Sequence, residues 1–420
     1  MAQPSGADHQ GRRRIARVAV DSPLPQLDRL FDYEVPAALA ETVVPGVRVR
    51  VSVRAAGRIM DGWVIELAEN SEFAGALSSI ESVVSPVPAL APEVWALARN
   101  VADRAAGTAS DVLRLAIPTR SVRAEQAWLP GTPRVELAAL SSPPPLQGYR
   151  DGDATGIVER GERVVLEAVP TVVTLPSNVA SPDTPGATVG AWALTIAQLA
   201  AAAVAGGRSA ILLAPDHRDL EQLEAAVRSM VPPERVVRVD GAQSTPARYR
   251  DFLRARFIDG MVIIGTRSAV YAPAARLGLI AIWDDGDPLH REPHAPGAHP
   301  RDVALVRQKL QGGALVLACH AISTDAQRLV EIGWCRRASP ARGSAPRIIP
   351  TALASGAGAD DHARIPSAAW RGVRDALQHG PVLVQVGRPG YSPQLVCATC
   401  STPAHCPTCS GPLGIARRGS

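Results

Sequence analysis

The sequence contains very little lysine and few aromatic residues. Lys309 is the single lysine among 44 basic residues, and aromatic residues make up only 4% of the 420-residue chain. Cores of this composition have to be built from alanine, valine and leucine, and the 46% hydrophobic content is sufficient for that. Because single cores rarely grow beyond a few hundred residues, we expect about two to four domains.

Long apolar runs are also missing. No stretch approaches the roughly 20 apolar residues that span a bilayer, and the N-terminal MAQPSGADHQGRRRIARVAV has no apolar segment of signal-peptide length. We therefore expect a cytoplasmic protein without a membrane partner. The six cysteines argue against a disulfide framework in such a compartment. A net charge of +4 permits a polyanionic partner without requiring one.

Four of the cysteines form two C-x-x-C pairs, Cys397 with Cys400 and Cys406 with Cys409. Two thiolates at this spacing can bind one tetrahedral zinc ion, so the pairs predict zinc as a cofactor. Five residues separate the pairs, whereas a single-zinc ribbon separates them by roughly 12 to 20. The spacing is therefore short for one closed site.

The N-terminal part of the chain, residues 14–118, is predicted to be mostly β-structure. RIARVAV, RVRVSV and DGWVIEL alternate apolar and polar residues, as half-buried strands do. A helix is expected from Pro92 to Gly107, and a shorter one, ASDVLRLAI, is expected to stop at Pro118.

The rest of the chain shows three further patterns. Residues 119–187 are broken up by proline and glycine, which predicts a small domain flanked by linkers. In residues 188–345, apolar strands alternate with helices, which predicts a parallel α/β sheet. Residues 346–420 contain a predicted helix, the predicted strand PVLVQVG and the paired cysteines, too little to form a domain alone.

The segment LFDYEVP places Asp32 between Phe31 and Tyr33 on a predicted strand. A carboxylate can accept a hydrogen bond from a terminal 3′-hydroxyl, and an aromatic face can stack on a base. The same pattern also fits two core aromatics with Asp32 capping a turn. Arg48 and Arg50 alternate on RVRV and share one strand face, which suits phosphate contacts but is also common on outward faces.

Three stretches together resemble the family of the bacterial replication-restart protein PriA (primosomal protein N′). They are VAVDSPLPQLDRLFDYEVP with PGVRVRV, IIGTRSAVYAPAARLGLIAIWDDGD, and GRPGYSPQLVCATC with HCPTC. The resemblance implies a multidomain α/β protein. Its expected parts are a 3′ DNA-end-binding domain (14–118), a winged-helix-like region with linkers (119–187), a RecA-like first helicase lobe (188–345) and the start of a second lobe with a zinc element (346–420).

The resemblance also implies roles for the site residues. Phe31, Asp32 and Tyr33 correspond to the family's pocket for the 3′ end of a nascent strand. The family binds two interleaved zinc ions with eight cysteines. Cys397 with Cys400, and Cys406 with Cys409, would then each be half of one site, and we expect the other four cysteines beyond Ser420.

The parts that would bind and hydrolyse ATP depart from the family pattern. SPDTPGATVGAW stands where a phosphate-binding loop belongs, with neither lysine nor G-K-[ST]. Aligned through GTRSA, the family's Asp-Glu-Glu-His box begins with Trp283 and ends with Gly286, and Asp284 and Asp285 between them are expected to be solvated loop carboxylates. The Gly-Ser-Ala-Thr-Pro motif falls at ACHAI, without its serine and threonine. We expect a degenerate form of the actinobacterial type, not an enzyme, with ATP an unlikely ligand.

These observations favour a DNA-binding replication-restart protein that recognises stalled forks or D-loops and is associated with the nucleoid. By resemblance, its partners would be branched DNA, 3′ DNA ends, other primosome proteins and single-stranded-DNA-binding protein. The alternatives are an ATP-dependent 3′-5′ DNA helicase of the primosome and a truncated product with little activity of its own.

Overall fold

The computed structural model describes residues 14–53, 56–129, 139–149, 154–176, 186–344, 348–350, 365–385 and 394–415. The chain divides into one unit of residues 1–346 and a second unit of residues 347–420. The two units meet between residues 346 and 347, one residue after the boundary that the sequence predicts between residues 345 and 346. No helix in the described ranges is long and apolar enough to cross a membrane.

Five strands near the N-terminus close into a barrel. They are β1 Ile15–Val20, β2 Leu30–Glu34, β3 Arg48–Val53, β4 Arg58–Ala68 and β5 Ser78–Ser85. Strand β1 pairs with both β2 and β4, which closes the barrel and removes free sheet edges. In β3 the valines point into the barrel core and are buried, while Arg48 and Arg50 point outward. The predicted β-rich N-terminal domain is confirmed.

Three helices follow the barrel: α1 Pro92–Ala105, α2 Ala109–Ala116 and α3 Val122–Trp128. Helix α1 begins with Pro92 in its first turn, and it ends at Ala105, two residues before the predicted Gly107. Ala106 caps it with a left-handed φ of 53°. Helix α2 begins with a capping box between Thr108 and Asp111. The apolar faces of α1 and α2 belong to one continuous core that also includes Trp63 of the barrel and the second sheet of this unit.

That second sheet is parallel and has seven strands. The strands after α3 are β6 Arg163–Glu167, β7 Val172–Thr174, β8 Thr188–Gly190, β9 Ser209–Leu213, β10 Val236–Val239, β11 Val262–Gly265, β12 Leu277–Trp283, β13 Ala314–Cys319 and β14 Arg336–Ala338. The order in the sheet is β10-β11-β9-β12-β13-β6-β14, while β7 and β8 form a separate antiparallel pair. Every pairing within the sheet is parallel, as the alternating pattern of the sequence predicts.

Helices cover both faces of this sheet. They are α4 Ala154–Glu159, α5 Ala191–Ala205, α6 His217–Arg228, α7 Thr245–Phe257, α8 Pro300–Gln311 and α9 Thr324–Glu331. The central strands β9, β12 and β13 are buried along their whole length. Such continuously apolar strands are typical of parallel sheets that are covered on both faces.

The small separate domain predicted for residues 119–187 is wrong in the part that the structure describes. Strand β6 lies inside the large sheet, between β13 and β14. Helix α3 packs against α7, and α4 packs against α5, so neither helix belongs to a separate winged helix. Proline and glycine in this region mark loops between elements of one fold. Residues 130–138, 150–153 and 177–185 lie outside the described ranges.

The second unit contains little regular structure in its described residues. Helix α10, Ser367–Ala376, matches the predicted helix but buries none of its residues. The strand predicted at PVLVQVG is wrong for residues 381–385, which form no strand, and Val386 and Gly387 lie outside the described ranges. Trp370 and Leu383 are exposed by 50% and 90%. The described residues of this unit therefore form no hydrophobic core of their own.

Candidate nucleic-acid interface

One cavity of the barrel, called here the Asp32 pocket, is lined by all three residues predicted to bind a DNA 3′ end. Its volume is about 620 Å³, within the usual range for small-ligand sites. Strand β2 supplies Phe31, Asp32 and Tyr33, and the loop between β4 and β5 supplies Phe73. The structure thus brings a carboxylate and several aromatic rings around one opening.

Asp32 is held by two neighbours at the edge of the Asp32 pocket. The Ser71 hydroxyl donates a hydrogen bond of 2.6 Å to Asp32 Oδ2. The Arg17 guanidinium lies 3.6 Å from Oδ1, and the Asp32 side chain is 16% exposed. Oδ1 therefore has room to accept a further hydrogen bond, while Ser71 and Arg17 limit the rotation of the carboxylate. The interpretation of Asp32 as a turn cap does not fit, because Asp32 lies within β2.

Tyr33 is a core residue of the barrel. Its ring is 4% exposed, and its hydroxyl donates a hydrogen bond of 3.2 Å to the carbonyl of Ser52. Burial raises the pKa of Tyr33 to about 12, so the phenol remains neutral. The alternative that the sequence left open, a core aromatic, is therefore correct for Tyr33, although its edge still lines the Asp32 pocket.

Phe31 and Phe73 are the two aromatic rings best placed for stacking. Phe31 is half-buried and carries the guanidinium of Arg29 over its ring, 4.8 Å from the ring centre. Phe73 is 60% exposed, and Ser71 accepts a hydrogen bond from its backbone N–H. Sequence reasoning missed Phe73 and Ser71. The available signal was an aromatic residue in the polar loop NSEFAG, where no core packing explains it.

The predicted phosphate contacts Arg48 and Arg50 do not line the Asp32 pocket. Both lie on the outer face of β3 beside Asp61. Arg48 Nη2 is 3.1 Å from Asp61 Oδ2, and Arg50 Nε is 3.4 Å from Asp61 Oδ1. Arg50 is 60% exposed. Arg48 instead faces a different cleft, where its guanidinium lies over Trp63, 5.6 Å from the ring centre.

At the carboxyl end of the parallel sheet, where such sheets bind nucleotides, the structure has two stacked tryptophans. Trp283 ends β12, and its ring lies on Trp192 of α5 with the ring centres 4.1 Å apart and the planes at 7°. The Trp283 indole donates a hydrogen bond of 3.1 Å to Asp219, and His320 contacts it edge-on. Trp192 and Trp283 are 4% and 5% exposed. These side chains fill the space at the start of α5.

Asp285 is a structural carboxylate. It is completely buried, and its Oδ2 accepts hydrogen bonds from Arg301 at 2.9 Å and from Ser323 at 2.8 Å. The expectation that both carboxylates are solvated is therefore wrong for Asp285, because folding places it against a cation. Asp284 has a left-handed φ of 47°. Burial, then repulsion by Asp287 and Asp285, raises the pKa of Asp284.

The two cysteine pairs lie in two similar turns. The backbone N–H of Ser401 donates to the carbonyl of Cys397, and the N–H of Ser410 donates to the carbonyl of Cys406, at 2.9 Å in both turns. Ser401 and Ser410 both have a left-handed φ, near 58°. In both turns the chain reverses direction around its C-x-x-C pair.

Hydrogen bonds within the turns favour thiolates. Backbone N–H groups of Cys400 and Thr399 lower the pKa of Cys397 to about 7, and the equivalent groups of Cys409 and Thr408 lower that of Cys406. Thiolate is the form that binds zinc. Within the described ranges, no three Cys, His, Asp or Glu side chains are grouped to hold one metal ion. Each C-x-x-C pair offers two thiolate ligands to a metal ion.

Comparison with known proteins identifies the barrel. Residues 17–118, which contain most of the barrel together with α1 and α2, match the family model of the PriA 3′DNA-binding domain (3′BD). Proteins of Mycobacterium bovis and Mycobacterium tuberculosis named "Probable replication restart protein PriA" are 38% identical over 414 residues, which cover 94% of this chain and 59% of each relative. The chain is therefore similar to PriA proteins over nearly its whole length. The resemblance found in the sequence is confirmed.

More distant similarity points the same way. The "Replication restart protein PriA" of Treponema pallidum is 25% identical over 401 residues, covering 92% of the PriA-like chain and 56% of the relative. This chain thus spans less than two thirds of the length of these relatives. A solved structure titled "Crystal Structure of DUF1998 helicase MrfA" covers 53% of this chain at 16% identity with a TM-score of 0.30, which is too low to indicate a shared fold.

Proposed function

We propose that this PriA-like protein binds 3′ ends of DNA at stalled forks or D-loops and supports replication restart without hydrolysing ATP. The observation that carries the proposal is the Asp32 pocket inside the segment that matches the 3′DNA-binding domain. Comparing its affinity for forks with a free and with a blocked 3′-hydroxyl tests this function directly.

The chemistry of the Asp32 pocket suits a strand terminus. A 3′-hydroxyl can donate a hydrogen bond to Asp32, whereas an internal nucleotide carries a phosphodiester there and is repelled by the carboxylate. Phe31 and the exposed Phe73 offer faces on which a terminal base can stack, and stacking of this kind does not depend on the base. The Asp32 pocket therefore favours a 3′ end over an internal nucleotide, and it does so whatever the base at that end.

The loss of ATP hydrolysis is supported by the described carboxyl end of the sheet. A nucleotide would need the space that Trp192 and Trp283 occupy, and the sequence places no lysine near the start of α5. Arg301 neutralises Asp285, so that carboxylate is not free to bind Mg²⁺. The alternative function, an ATP-dependent 3′-5′ DNA helicase of the primosome, requires all of these groups.

We expect no DNA-stimulated ATPase activity above background. The Trp283→Asp variant should also be inactive, because restoring one carboxylate does not supply the missing lysine or the phosphate-binding loop. Phosphate release measured with and without forked DNA checks this expectation. A turnover near 1 s⁻¹, the low end of ordinary enzyme rates, that disappears in Asp284→Ala would favour the helicase instead.

Zinc belongs to the same proposal. Cys397 and Cys400 would bind one ion and Cys406 and Cys409 another, so that each ion would hold one turn. The pairs are separate half-sites, so two ligand positions on each ion would be left for water or further cysteines. Other primosome proteins and single-stranded-DNA-binding protein are the partners we propose, with the nucleoid as the place of action.

We expect this 420-residue chain to bind less than one firmly held zinc ion. Affinity depends on the complete ligand set, so a two-thiolate site should lose zinc readily to a chelator. Zinc content measured before and after chelation checks this, with Cys319→Ser as a control for a buried cysteine outside the turns. One tightly held ion that is lost in both Cys397→Ser and Cys409→Ser would show instead a closed four-cysteine site.

A further inference from the structure

A second cleft, called here the α1–α2 cleft, lies between the barrel and helices α1 and α2. Its volume is about 740 Å³. One wall comes from the chain around Arg29 and from Trp63 of β4, and the opposite wall comes from Trp95 and Arg99 of α1 and from Arg114 of α2. Recognition of a terminal nucleotide by the Asp32 pocket does not by itself require this cleft.

The α1–α2 cleft is rich in arginine. Five arginines face it, against the two aspartates Asp21 and Asp28. Both carboxylates have several partners already: Asp21 accepts from Ser110 and Arg114, and Asp28 accepts from Arg99. Asp61, Asp103 and Glu125, outside the cleft lining, pair with Arg48, Arg99 and Arg120. Carboxylates therefore hold the side chains of four of the five arginines in place.

Two arginines of the cleft are also held by aromatic rings. Arg48 lies over Trp63 at 5.6 Å, and Arg29 lies over Phe31 at 4.8 Å. The Nε atom of Arg48 is buried and has no hydrogen-bond partner in the part of the chain that the structure describes. Guanidinium groups fixed in this way are preorganised to donate paired hydrogen bonds to a phosphate.

The cleft adjoins the Asp32 pocket, since Arg29 and Leu30 line both cavities. A DNA strand whose terminal nucleotide occupies the Asp32 pocket has to lead away from it. The route past Arg29 enters a cleft that offers cations for the phosphates and the half-buried ring of Trp95 for a base.

We propose that the α1–α2 cleft is a second DNA-binding site, which holds the sugar–phosphate backbone of the strand whose 3′ end lies in the Asp32 pocket. This inference rests on the proposed function. The fixed guanidinium groups, the aromatic rings and the continuity with the Asp32 pocket all favour a nucleic-acid strand over an acidic peptide.

The test uses the full chain and two fluorescent probes, a dinucleotide with a free 3′-hydroxyl and a single strand of eight nucleotides with the same end. The variants are Arg99→Gln and Arg114→Gln. Arg104→Gln is the matched control: it removes the same charge from α1, and it lies about 140° around the helix from Arg99, outside the cleft lining.

We expect each cleft variant to bind the eight-nucleotide strand about tenfold more weakly at low salt and the dinucleotide with unchanged affinity. The slope of log affinity against log salt should become shallower by about 0.7 for each phosphate that the variant no longer neutralises. Unchanged dinucleotide binding also shows that the variant is folded. Arg104→Gln should behave like the parent protein with both probes.

Three results would overturn the inference. The first is that the cleft variants and Arg104→Gln bind the longer strand equally well. The second is that the cleft variants lose affinity equally for both probes. The third is that they lose affinity only for an acidic decapeptide, which would identify a peptide site. The Asp32→Ala variant separates the two proposals: if it keeps its 3′-end preference unchanged, the Asp32 pocket fails while the cleft data stand on their own.

Discussion

Asp32→Ala is expected to abolish the preference for a free 3′-hydroxyl while leaving most of the salt-dependent affinity for DNA. A hydrogen bond to a charged group contributes about 1.5–3 kcal/mol, so the ratio of affinities for free and blocked ends should fall by about tenfold or more. The remaining affinity comes from phosphate contacts made by arginines, which the substitution does not remove. Fluorescence anisotropy with strands ending in a 3′-hydroxyl or a 3′-phosphate measures both quantities.

Two further variants sharpen this result. Ser71→Ala removes the hydrogen bond that orients Asp32, so it should weaken the preference without abolishing it. Glu41→Ala removes an exposed carboxylate from the same domain outside the Asp32 pocket, and it should leave the preference unchanged. If Asp32→Ala weakens binding of free and blocked ends by the same factor, the Asp32 pocket does not recognise the 3′ end.

Trp283→Ala is expected to lower the free energy of unfolding of the first unit by about 3–5 kcal/mol, the usual cost of removing a buried tryptophan. The side chain is almost completely buried, stacks on Trp192 and donates a hydrogen bond to Asp219. Its removal leaves a cavity and an unpaired acceptor at once. Chemical denaturation followed by circular dichroism measures the change.

The stacked pair makes a second measurement possible. In a double-mutant cycle with Trp192→Ala, the two destabilisations should be less than additive by about 0.5–1.5 kcal/mol, the contribution of an aromatic pair beyond its buried area. Trp370→Ala, which removes an exposed tryptophan, should change stability by less than about 0.5 kcal/mol. If Trp283→Ala proves as stable as Trp370→Ala, the packing of Trp283 against Trp192 does not stabilise the fold.

Several features could be predicted because they depend on local patterns. The valines of RVRVSV alternate with charged and polar residues, and this periodicity is that of a strand with one buried face. The unbroken apolar strands after residue 188 fit a parallel sheet covered on both sides. The C-x-x-C pairs define metal-binding turns by their spacing, and the absence of G-K-[ST] needs no structure to be recognised.

Other features could not be predicted because they depend on contacts between distant parts of the chain. Proline and glycine around β6 suggested a separate domain, but β6 pairs in parallel with β13, about 150 residues later in the chain. The same holds for Asp285, which the sequence placed in a solvated loop and which folding places against Arg301 and Ser323. Local composition cannot report which residue will lie beside another after such long loops close.

The sequence by itself determined that this protein has a β-rich domain with an Asp-centred aromatic motif, a parallel α/β sheet without a lysine-containing phosphate loop, and two cysteine pairs. Only the tertiary structure decided that Phe73 and Asp32 line one pocket, that Arg48 lines a different cleft, and that Trp192 and Trp283 stack at the carboxyl end of the parallel sheet. The physical reason is that periodicity and spacing fix the face on which a side chain lies. The neighbour that it meets on that face is fixed by the packing of elements far apart in the chain.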